Sequence, residues 1–281
     1  MSHNHSDGRA ARVAYSHSAT DRAQPSHFES HCHDNFELLY VRHGRGKYVV
    51  EGAEYPLRSH TLLLIRPFEY HYVCPDKNSV YERYVFNFDR ELLPESISDL
   101  WLLKELDKNR HGVYFAEEHI SPAIRREFPA MDDAFVLLDA AGAENPLKES
   151  MALTVLIRVL LLLSLFYNAG DEKYVENIIT RVTEYLDRNL TEDFSLDKLA
   201  QQFFVSKYYL CRAFRKQNGV SVLSYLTTKR IALAQQLLLR GEPATTVAYQ
   251  VGFQSYSAFY RAYTKQTGGR PPRETKRRPL S

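Results

Sequence analysis

One short pattern occurs twice in the C-terminal part of the chain and constrains the fold more than any other feature. The first copy consists of Ser206, Leu210, Arg212, Phe214, Lys216 and Gly219. The second copy consists of Ser255, Phe259, Arg261, Tyr263, Lys265 and Gly268. Each residue of the second copy lies 49 positions after its counterpart. A constant spacing across six positions of matching chemistry indicates a duplicated structural unit.

Each copy predicts a short helix that begins after a serine and ends at a glycine. The serine is a good N-cap, because its oxygen can accept a backbone N–H of the first turn. Glycine permits the backbone conformation that ends a helix. Leu210 and Phe214 are four residues apart and share an apolar face, whereas Arg212 and Lys216 share a basic one. A further helix is predicted just before each copy, so that each forms a helix-turn-helix.

Further motifs surround the repeat. They are Ser195-Leu196-x-x-Leu199-Ala200, Ser206-Lys207-Tyr208-Tyr209-Leu210-Cys211-Arg212-Ala213-Phe214, Arg230-Ile231-x-x-Ala234 and Val251-Gly252-Phe253. Because it contains both the repeat and these motifs, the region resembles the double helix-turn-helix domain of AraC/XylS-type transcription regulators. The resemblance implies an all-α domain over residues 171–281 that binds double-stranded DNA. Phe204 departs from the family pattern, because a small residue is more usual in the first turn.

The resemblance also implies which side chains contact DNA. The residues in base-reading positions are Tyr208, Cys211, Arg212, Ser257, Tyr260 and Arg261. The residues placed for phosphate contacts are Lys207, Arg215, Lys216 and Lys265. Arginine suits base reading because its planar fork can hold two acceptor atoms of guanine together. Phosphate contacts position a protein on DNA without specifying sequence.

The charge distribution agrees with a nucleic-acid partner. Residues 172–281 hold 18 Lys and Arg against 9 Asp and Glu, a net charge of +9. Residues 1–171 hold 18 Lys and Arg against 25 Asp and Glu, a net charge of −7. A basic segment beside an acidic one is typical of a DNA-binding protein.

The chain shows no signal for export or for a membrane. Cys32, Cys74 and Cys211 lack CxxC spacing and cannot form a disulfide framework. The N-terminus is polar, without a signal peptide, and residues 1–25 are predicted to be disordered. The most apolar stretch, residues 151–166, is interrupted by Arg158 and is too short to span a bilayer. We therefore expect a cytoplasmic protein with no membrane partner.

The N-terminal half predicts a small β-barrel. Candidate strands are residues 36–41, 46–50, 62–65 and 81–88, separated by glycines and prolines. Short strands at close spacing favour a barrel or jelly roll, and this segment resembles a cupin-type sensor domain. The predicted fold class is α+β. It has a cupin-like barrel with flanking helices over residues 26–170, followed by the double helix-turn-helix domain.

Four residues follow the outline of the cupin motifs. His31, His33 and Glu37 have odd numbers and face one side of an extended strand, and His71 lies in the second motif. In metal-dependent cupins these positions hold a divalent metal. We favour the interpretation that these four side chains line the polar mouth of an effector pocket and bind no metal or cofactor. The reason is that Glu69 stands where the second motif usually has glycine. Metal binding is the alternative hypothesis.

Aromatic residues extend this predicted effector pocket. Tyr40, Tyr48 and Tyr84 lie in candidate strands and could point into the barrel. An aromatic pocket with a few hydrogen-bonding groups suits a sugar or a similar organic effector.

A long apolar helix is predicted over residues 147–166, with apolar residues on nearly every face. Such a helix is wholly buried. Pairing with the same helix of a second chain would bury it, which predicts a homodimer through the N-terminal domain. Packing against its own barrel is the alternative. A linker is predicted at residues 168–171, followed by helices over 174–189 and 222–239.

These features favour a transcription regulator that responds to an effector. We expect an activator in preference to a repressor, with RNA polymerase as a further partner. No catalytic triad, phosphate loop or paired catalytic carboxylate is present, so the chain is not expected to be an enzyme. Two alternatives stay open. The first is a metal-dependent cupin enzyme or metal sensor fused to a DNA-binding domain, and the second is a barrel that only dimerises.

Overall fold

The computed structural model describes residues 12–23, 28–98, 100, 102–103, 106, 111–166 and 178–272. These residues form two compact units, one largely of residues up to 180 and the other largely of residues 181–272. Each unit is described by itself.

The N-terminal unit is built on two antiparallel sheets. Its strands are β1 Val13–Thr20, β2 Phe36–His43, β3 Arg45–Val50, β4 Ala53–Arg58, β5 Thr61–Ile65, β6 His71–Pro75, β7 Tyr81–Phe88 and β8 Val113–Phe115. One sheet has the order β1-β7-β2-β5-β8, and the other has the order β4-β3-β6. The four predicted strands correspond to β2, β3, β5 and β7.

Alternating residues of the larger sheet serve two hydrophobic cores. Leu39 and Leu63 face the smaller sheet and pack with Tyr48 and Tyr55 in a shared interior. Leu38, like its neighbours Tyr40, Leu62 and Leu64, belongs to the core on the opposite face. The larger sheet therefore lies between the smaller sheet and a layer of helices, as the period of two along a strand requires.

The prediction of disorder for residues 1–25 is wrong for β1. This strand pairs with β7 over its whole length, from Val13 opposite Phe88 to Thr20 opposite Tyr81. Val13 is buried in the helix-covered core and Tyr15 packs against it. Alternate apolar residues and a full ladder of backbone hydrogen bonds thus order a segment whose composition is polar.

Helices cover the other face of the larger sheet. They are α1 Glu95–Ser98, α2 Pro122–Ala140 and α3 Asn145–Phe166. The prediction that the apolar helix, α3, is wholly buried is wrong. Leu156 and Leu160 are buried against the sheet, but Leu161 and Leu165 on the outer side are 41% and 76% exposed.

The C-terminal unit is all-α. Its helices are α4 Ile178–Arg188, α5 Leu196–Gln202, α6 Lys207–Asn218, α7 Val222–Leu239, α8 Ala244–Gln250 and α9 Tyr256–Thr267. The pairs α5–α6 and α8–α9 are the two helix-turn-helix units, and α7 connects them at the bounds that the sequence predicts. The predicted linker at residues 168–171 lies outside the described residues, as does the start of the helix predicted from residue 174.

The two helix-turn-helix units differ by one residue in their turns. Helices α5 and α8 begin 48 positions apart, whereas α6 and α9 begin 49 positions apart. In both turns one residue adopts the left-handed conformation, Phe204 with φ 55° and Gly252 with φ 91°. These residues occupy equivalent places, one residue beyond the C-caps Phe203 and Val251.

Among the described residues, no helix has both the length and the hydropathy needed to cross a membrane.

Candidate functional site

Helix α6 presents a polar, partly aromatic face to solvent. Ser206 Oγ accepts the backbone N–H of Tyr209 at 3.1 Å and so caps the helix. Leu210 and Phe214 are fully buried, which fixes the orientation of the helix. Tyr208 and Arg212 are exposed, as are Arg215 and Lys216, and Cys211 is partly buried. The exposed side chains are free to reach a DNA groove.

Helix α9 repeats this arrangement in the second unit. Ser255 Oγ accepts the N–H of Ala258 at 3.2 Å. Phe259 and Tyr263 are buried. The predicted DNA-contacting residues Ser257, Arg261 and Lys265 are exposed, and Tyr260 is partly buried. Both helices therefore show the buried and exposed faces that the repeat predicts.

One predicted phosphate-binding residue already has a protein partner. Lys207 Nζ lies 3.0 Å from Asp197 Oδ2 of α5, and both side chains are largely exposed. An exposed pair of this kind contributes little to stability, so it does not fix the position of the Lys207 side chain.

Arg230 of α7 ties the helices of the C-terminal unit together. Its Nε donates to Leu190 O at 2.7 Å, its Nη1 to Gly252 O at 2.6 Å and its Nη2 to Glu192 O at 2.7 Å. Partial burial lowers the pKa of Arg230. The guanidinium thus links α7 both to the loop before α5 and to the turn of the second unit. Sequence reasoning found Arg230 in a family motif but not this role.

Four side chains converge in the N-terminal unit. His31 and His33 precede β2, Glu37 lies in β2, and His71 begins β6. Their potential ligand atoms all lie within 4.8 Å of one another. The backbones of His31 and His71 exchange two hydrogen bonds, with N···O distances of 3.1 and 2.9 Å. This bridge brings the two halves of the predicted motif together, and the four residues are called the histidine cluster below.

Backbone carbonyls orient all three imidazoles of the histidine cluster. In each ring Nδ1 lies within hydrogen-bond distance of a carbonyl oxygen. The pairs are His31 with Glu29 at 2.9 Å, His33 with Asn35 at 2.9 Å and His71 with Glu69 at 2.8 Å. Because a carbonyl oxygen only accepts, each Nδ1 carries a hydrogen and each Nε2 is left as the potential ligand. His71 Nε2 is buried and has no hydrogen-bond partner among the described residues.

The Glu37 carboxylate is the electrostatic centre of the histidine cluster. Its Oε2 lies 3.0 Å from His33 Nε2 and 3.7 Å from His71 Nε2, and it accepts from Asn87 Nδ2 at 3.3 Å. Burial would raise the pKa of Glu37, but His71 and His33 outweigh it and hold that pKa well below its usual value. Burial would lower the pKa of His71, but the Glu37 carboxylate raises it. The cluster therefore favours an ionised carboxylate beside positive charge.

The three tyrosines predicted for the effector pocket lie on two different faces. Tyr48 stacks beside His71, with ring centroids 6.3 Å apart. Tyr40 instead stacks on Phe128 of α2 at 4.1 Å, and the Tyr84 hydroxyl donates to Asp132 of α2 at 3.1 Å. The single pocket predicted for all three is corrected accordingly, because the side chains of Tyr40 and Glu37 in β2 point to opposite faces.

Arg83 is a further polar group in the barrel interior that sequence reasoning missed. Its guanidinium lies 4.8 Å from the ring centroid of Tyr81 and 5.3 Å from that of Phe28. Its Nη1 is buried without a hydrogen-bond partner among the described residues. Arg83 is four residues from Asn87 in β7, so the period of two could have placed both on one face.

The chain is similar to known protein families along most of its length. Residues 18–157 match the family described as AraC-like ligand binding domain. Residues 199–278 match the family described as helix-turn-helix domain.

Individual relatives cover both halves of the chain. The "Uncharacterized HTH-type transcriptional regulator YbfI" of Bacillus subtilis (strain 168) is 25% identical over 236 residues, which cover 82% of this chain and 80% of the relative. The "HTH-type transcriptional activator RhaS" of Escherichia coli O139:H28 is 24% identical over 255 residues, covering 89% and 88%. Among solved structures, apo ToxT from Vibrio cholerae strain SCE256 is 12% identical with a TM-score of 0.42, covering 92% of this chain and 95% of that one.

Proposed function

The chain belongs to the AraC family of DNA-binding transcription regulators, which carry an effector-binding domain, and from that premise we propose how it reads DNA. Helices α6 and α9 enter adjacent segments of one major-groove face, about 34 Å apart. The carrying observation is that both helices bury matching apolar pairs and turn matching basic faces to solvent within one compact unit.

The side chains divide into two roles. Base reading falls to Tyr208, Cys211, Arg212, Ser257, Tyr260 and Arg261, and phosphate contacts fall to Lys207, Arg215, Lys216 and Lys265. The phosphate contacts make affinity depend on salt, whereas the base contacts make it depend on sequence.

Arg212→Ala and Arg261→Ala are each expected to weaken binding to the preferred DNA site by about 1–3 kcal/mol, because each removes one guanidinium that would contact a base. Each change should also relax the sequence preference at one base pair. Selection from a randomised DNA pool, followed by titration of the selected site, measures both effects.

Arg240 provides the matched control, because it is an exposed arginine at the end of α7, outside both reading helices. Arg240→Ala should leave the sequence preference unchanged. Equal weakening on all DNA sequences after the Arg212 or Arg261 change would show that these residues contact phosphates instead.

The N-terminal unit is proposed to be the effector-binding and dimerisation domain. It includes β1, so the domain starts before residue 26, and it extends to about residue 180, after which the described residues form the DNA-binding domain. A small-molecule effector would shift the regulator between two states by binding them unequally. In the active state the protein would contact RNA polymerase in the cytoplasm, as suits a relative named as a transcriptional activator.

The exposed side of α3 supports the proposed homodimer. Leu147, Leu161 and Leu165 lie along one exposed stripe of the helix, which they share with Ser150, Thr154 and Arg158. Val136 and Leu137 of the adjacent helix α2 are exposed as well. Large exposed apolar side chains set among a few polar ones are typical of an interface between proteins.

Replacing both Leu161 and Leu165 with arginine is expected to convert the dimer to a monomer, because each chain would bring two charges into the interface, where they lose water without gaining a partner. Sedimentation equilibrium of the full-length chain measures the change. Leu239→Arg, at a leucine of the C-terminal unit that is more exposed than either, is the control and should leave the mass unchanged. A wild-type chain that is monomeric at micromolar concentration would contradict the proposal.

A further inference from the structure

We propose that the histidine cluster binds one divalent transition-metal ion through Nε2 of His31, His33 and His71 and the carboxylate of Glu37. The inference deepens the proposed function, because the cluster lies in the domain assigned to effector binding. It reverses the interpretation that the sequence favours, in which these side chains only line a pocket.

The convergence of lone pairs carries the inference. Each Nδ1 is held by a backbone carbonyl, so each ring, when neutral, presents the lone pair of its Nε2 to the other ligand atoms of the cluster, which all lie within 4.8 Å of one another. His33 Nε2 and His71 Nε2 lie 3.0 and 3.7 Å from one oxygen of Glu37. In neutral rings, lone pairs at such distances repel the carboxylate unless a proton or a metal cation lies between them. A proton satisfies one nitrogen–oxygen pair at a time, whereas a bound cation removes the repulsion at all four groups together.

His71 gives a second, independent indication. It is completely buried, and its Nε2 has no hydrogen-bond partner among the described residues. A buried polar atom without a partner is costly, and such an atom calls for a ligand or an ion. Its ring is aimed at the atoms of the other three residues.

The surroundings match those of a preformed metal site. The carbonyls of Glu29, Asn35 and Glu69 fix the tautomers, and the Asn87 amide donates to the Glu37 carboxylate. Hydrogen bonds of this kind orient metal ligands and are as important as the ligands' identity. The ion would also join the segment before β2 to β2 and to β6.

The donor set selects the class of metal. Three imidazoles and one carboxylate suit zinc, iron, cobalt, nickel or manganese, whereas magnesium and calcium prefer oxygen ligands. Glu37 and His71 are buried, His33 is partly exposed and His31 is exposed. The exposed side would leave room for water or a small anionic ligand at the ion, so the metal can take part in effector binding.

The test is metal binding by the untagged full-length chain. After removal of metal with a chelator, the protein is titrated with Co²⁺ and with Zn²⁺, and bound metal is measured by elemental analysis after gel filtration. We expect one equivalent per chain and, for Co²⁺, visible absorption of a nitrogen- and oxygen-ligated ion. His33→Ala and Glu37→Gln should each weaken affinity at least about tenfold, because even outer-sphere partners of ligands matter to this extent.

Two controls keep the result interpretable. His43→Ala removes an exposed histidine outside the cluster and should retain full binding. Far-ultraviolet circular dichroism of each metal-free variant shows whether it has folded, and His33, which is partly exposed, is the change least expected to disturb folding.

The proposal would be overturned if the folded wild-type chain did not retain metal. It would also be overturned if His33→Ala and Glu37→Gln bound metal as tightly as the wild-type chain. The second outcome would assign the metal to other histidines, such as His3 and His5. Because metal binding is measured without DNA, failure here is distinct from failure of the DNA-reading proposal.

Discussion

Arg230→Met is expected to lower the free energy of unfolding of the C-terminal unit by about 2–4 kcal/mol. The change removes three charge-assisted hydrogen bonds, to Leu190 O, Glu192 O and Gly252 O. Hydrogen bonds to charged groups contribute about 1.5–3 kcal/mol each. The total is lower than their sum, because the Nη2 bond is exposed to solvent and its carbonyl can bind water instead, and because partial burial of the Arg230 charge offsets part of the rest.

Urea unfolding of the full-length chain, followed by circular dichroism, measures this loss. Arg230→Lys should recover little of it, because a single ammonium group cannot reach three carbonyls in the fork geometry of arginine. Arg240→Met is the matched control, since Arg240 is an exposed arginine at the C-cap of the same helix. A loss below about 1 kcal/mol at Arg230, or one equal to that at Arg240, would refute this structural role.

Gly252→Ala is expected to lower the free energy of unfolding by about 2–4 kcal/mol as well. Gly252 has φ 91°, which an alanine adopts only with strain. An added Cβ would lie 2.8 Å from Arg230 Cζ and 2.9 Å from the carbonyl oxygen of Thr191. Neither neighbour can withdraw, because the guanidinium is held by three carbonyls and the oxygen belongs to the backbone. The same unfolding experiment measures the loss.

Phe204→Gly is the matched counterpart, and we expect it to raise the free energy of unfolding instead of lowering it. Phe204 occupies the equivalent left-handed position of the first turn, where its side chain is 95% exposed. Glycine there would relieve backbone strain at no cost in burial, and we expect a gain of about 1 kcal/mol. A destabilised Phe204→Gly variant, or a Gly252→Ala variant as stable as wild type, would show that the two turns are not equivalent.

The sequence predicts the C-terminal unit well because its signals are local. Caps, apolar spacing and the repeat all act within a few turns of helix, and Ser206, Ser255 and α7 appear where they are expected. The repeat does not predict the one-residue difference between the turns. Its 49-residue spacing is carried by residues in and next to α6 and α9, and it contains no residue of α5 or α8.

The sheet was harder to predict because its pairing is non-local. β1 is polar in composition and is ordered by β7, far along the chain. β4 contains Pro56, which is acceptable because β4 lies at the edge of its sheet. Both β4 and the short strands β6 and β8 were therefore absent from the prediction.

Glu69, which stands where the cupin motif usually has glycine, does not prevent the histidine cluster from forming. Glu69 is buried, and its carboxylate accepts from the Arg66 side chain and from the backbone N–H of Arg66 and Gly112. The left-handed residue in this turn is Phe68, with φ 62°, and not Glu69. Glycine is thus not required at residue 69, and the turn still delivers His71 to the cluster.

The bridge that Arg230 makes between α7, the loop before α5 and the second turn also bears on how binding sites for this protein can evolve. On the proposal that α6 and α9 each read one cluster of bases, a unit connected in this way requires a fixed spacing of the two clusters. Inserting a single base pair between them would rotate one cluster by about 35° around the duplex. Regulatory sites for such a protein can therefore diverge by base substitution, but not by small insertions or deletions between the two clusters.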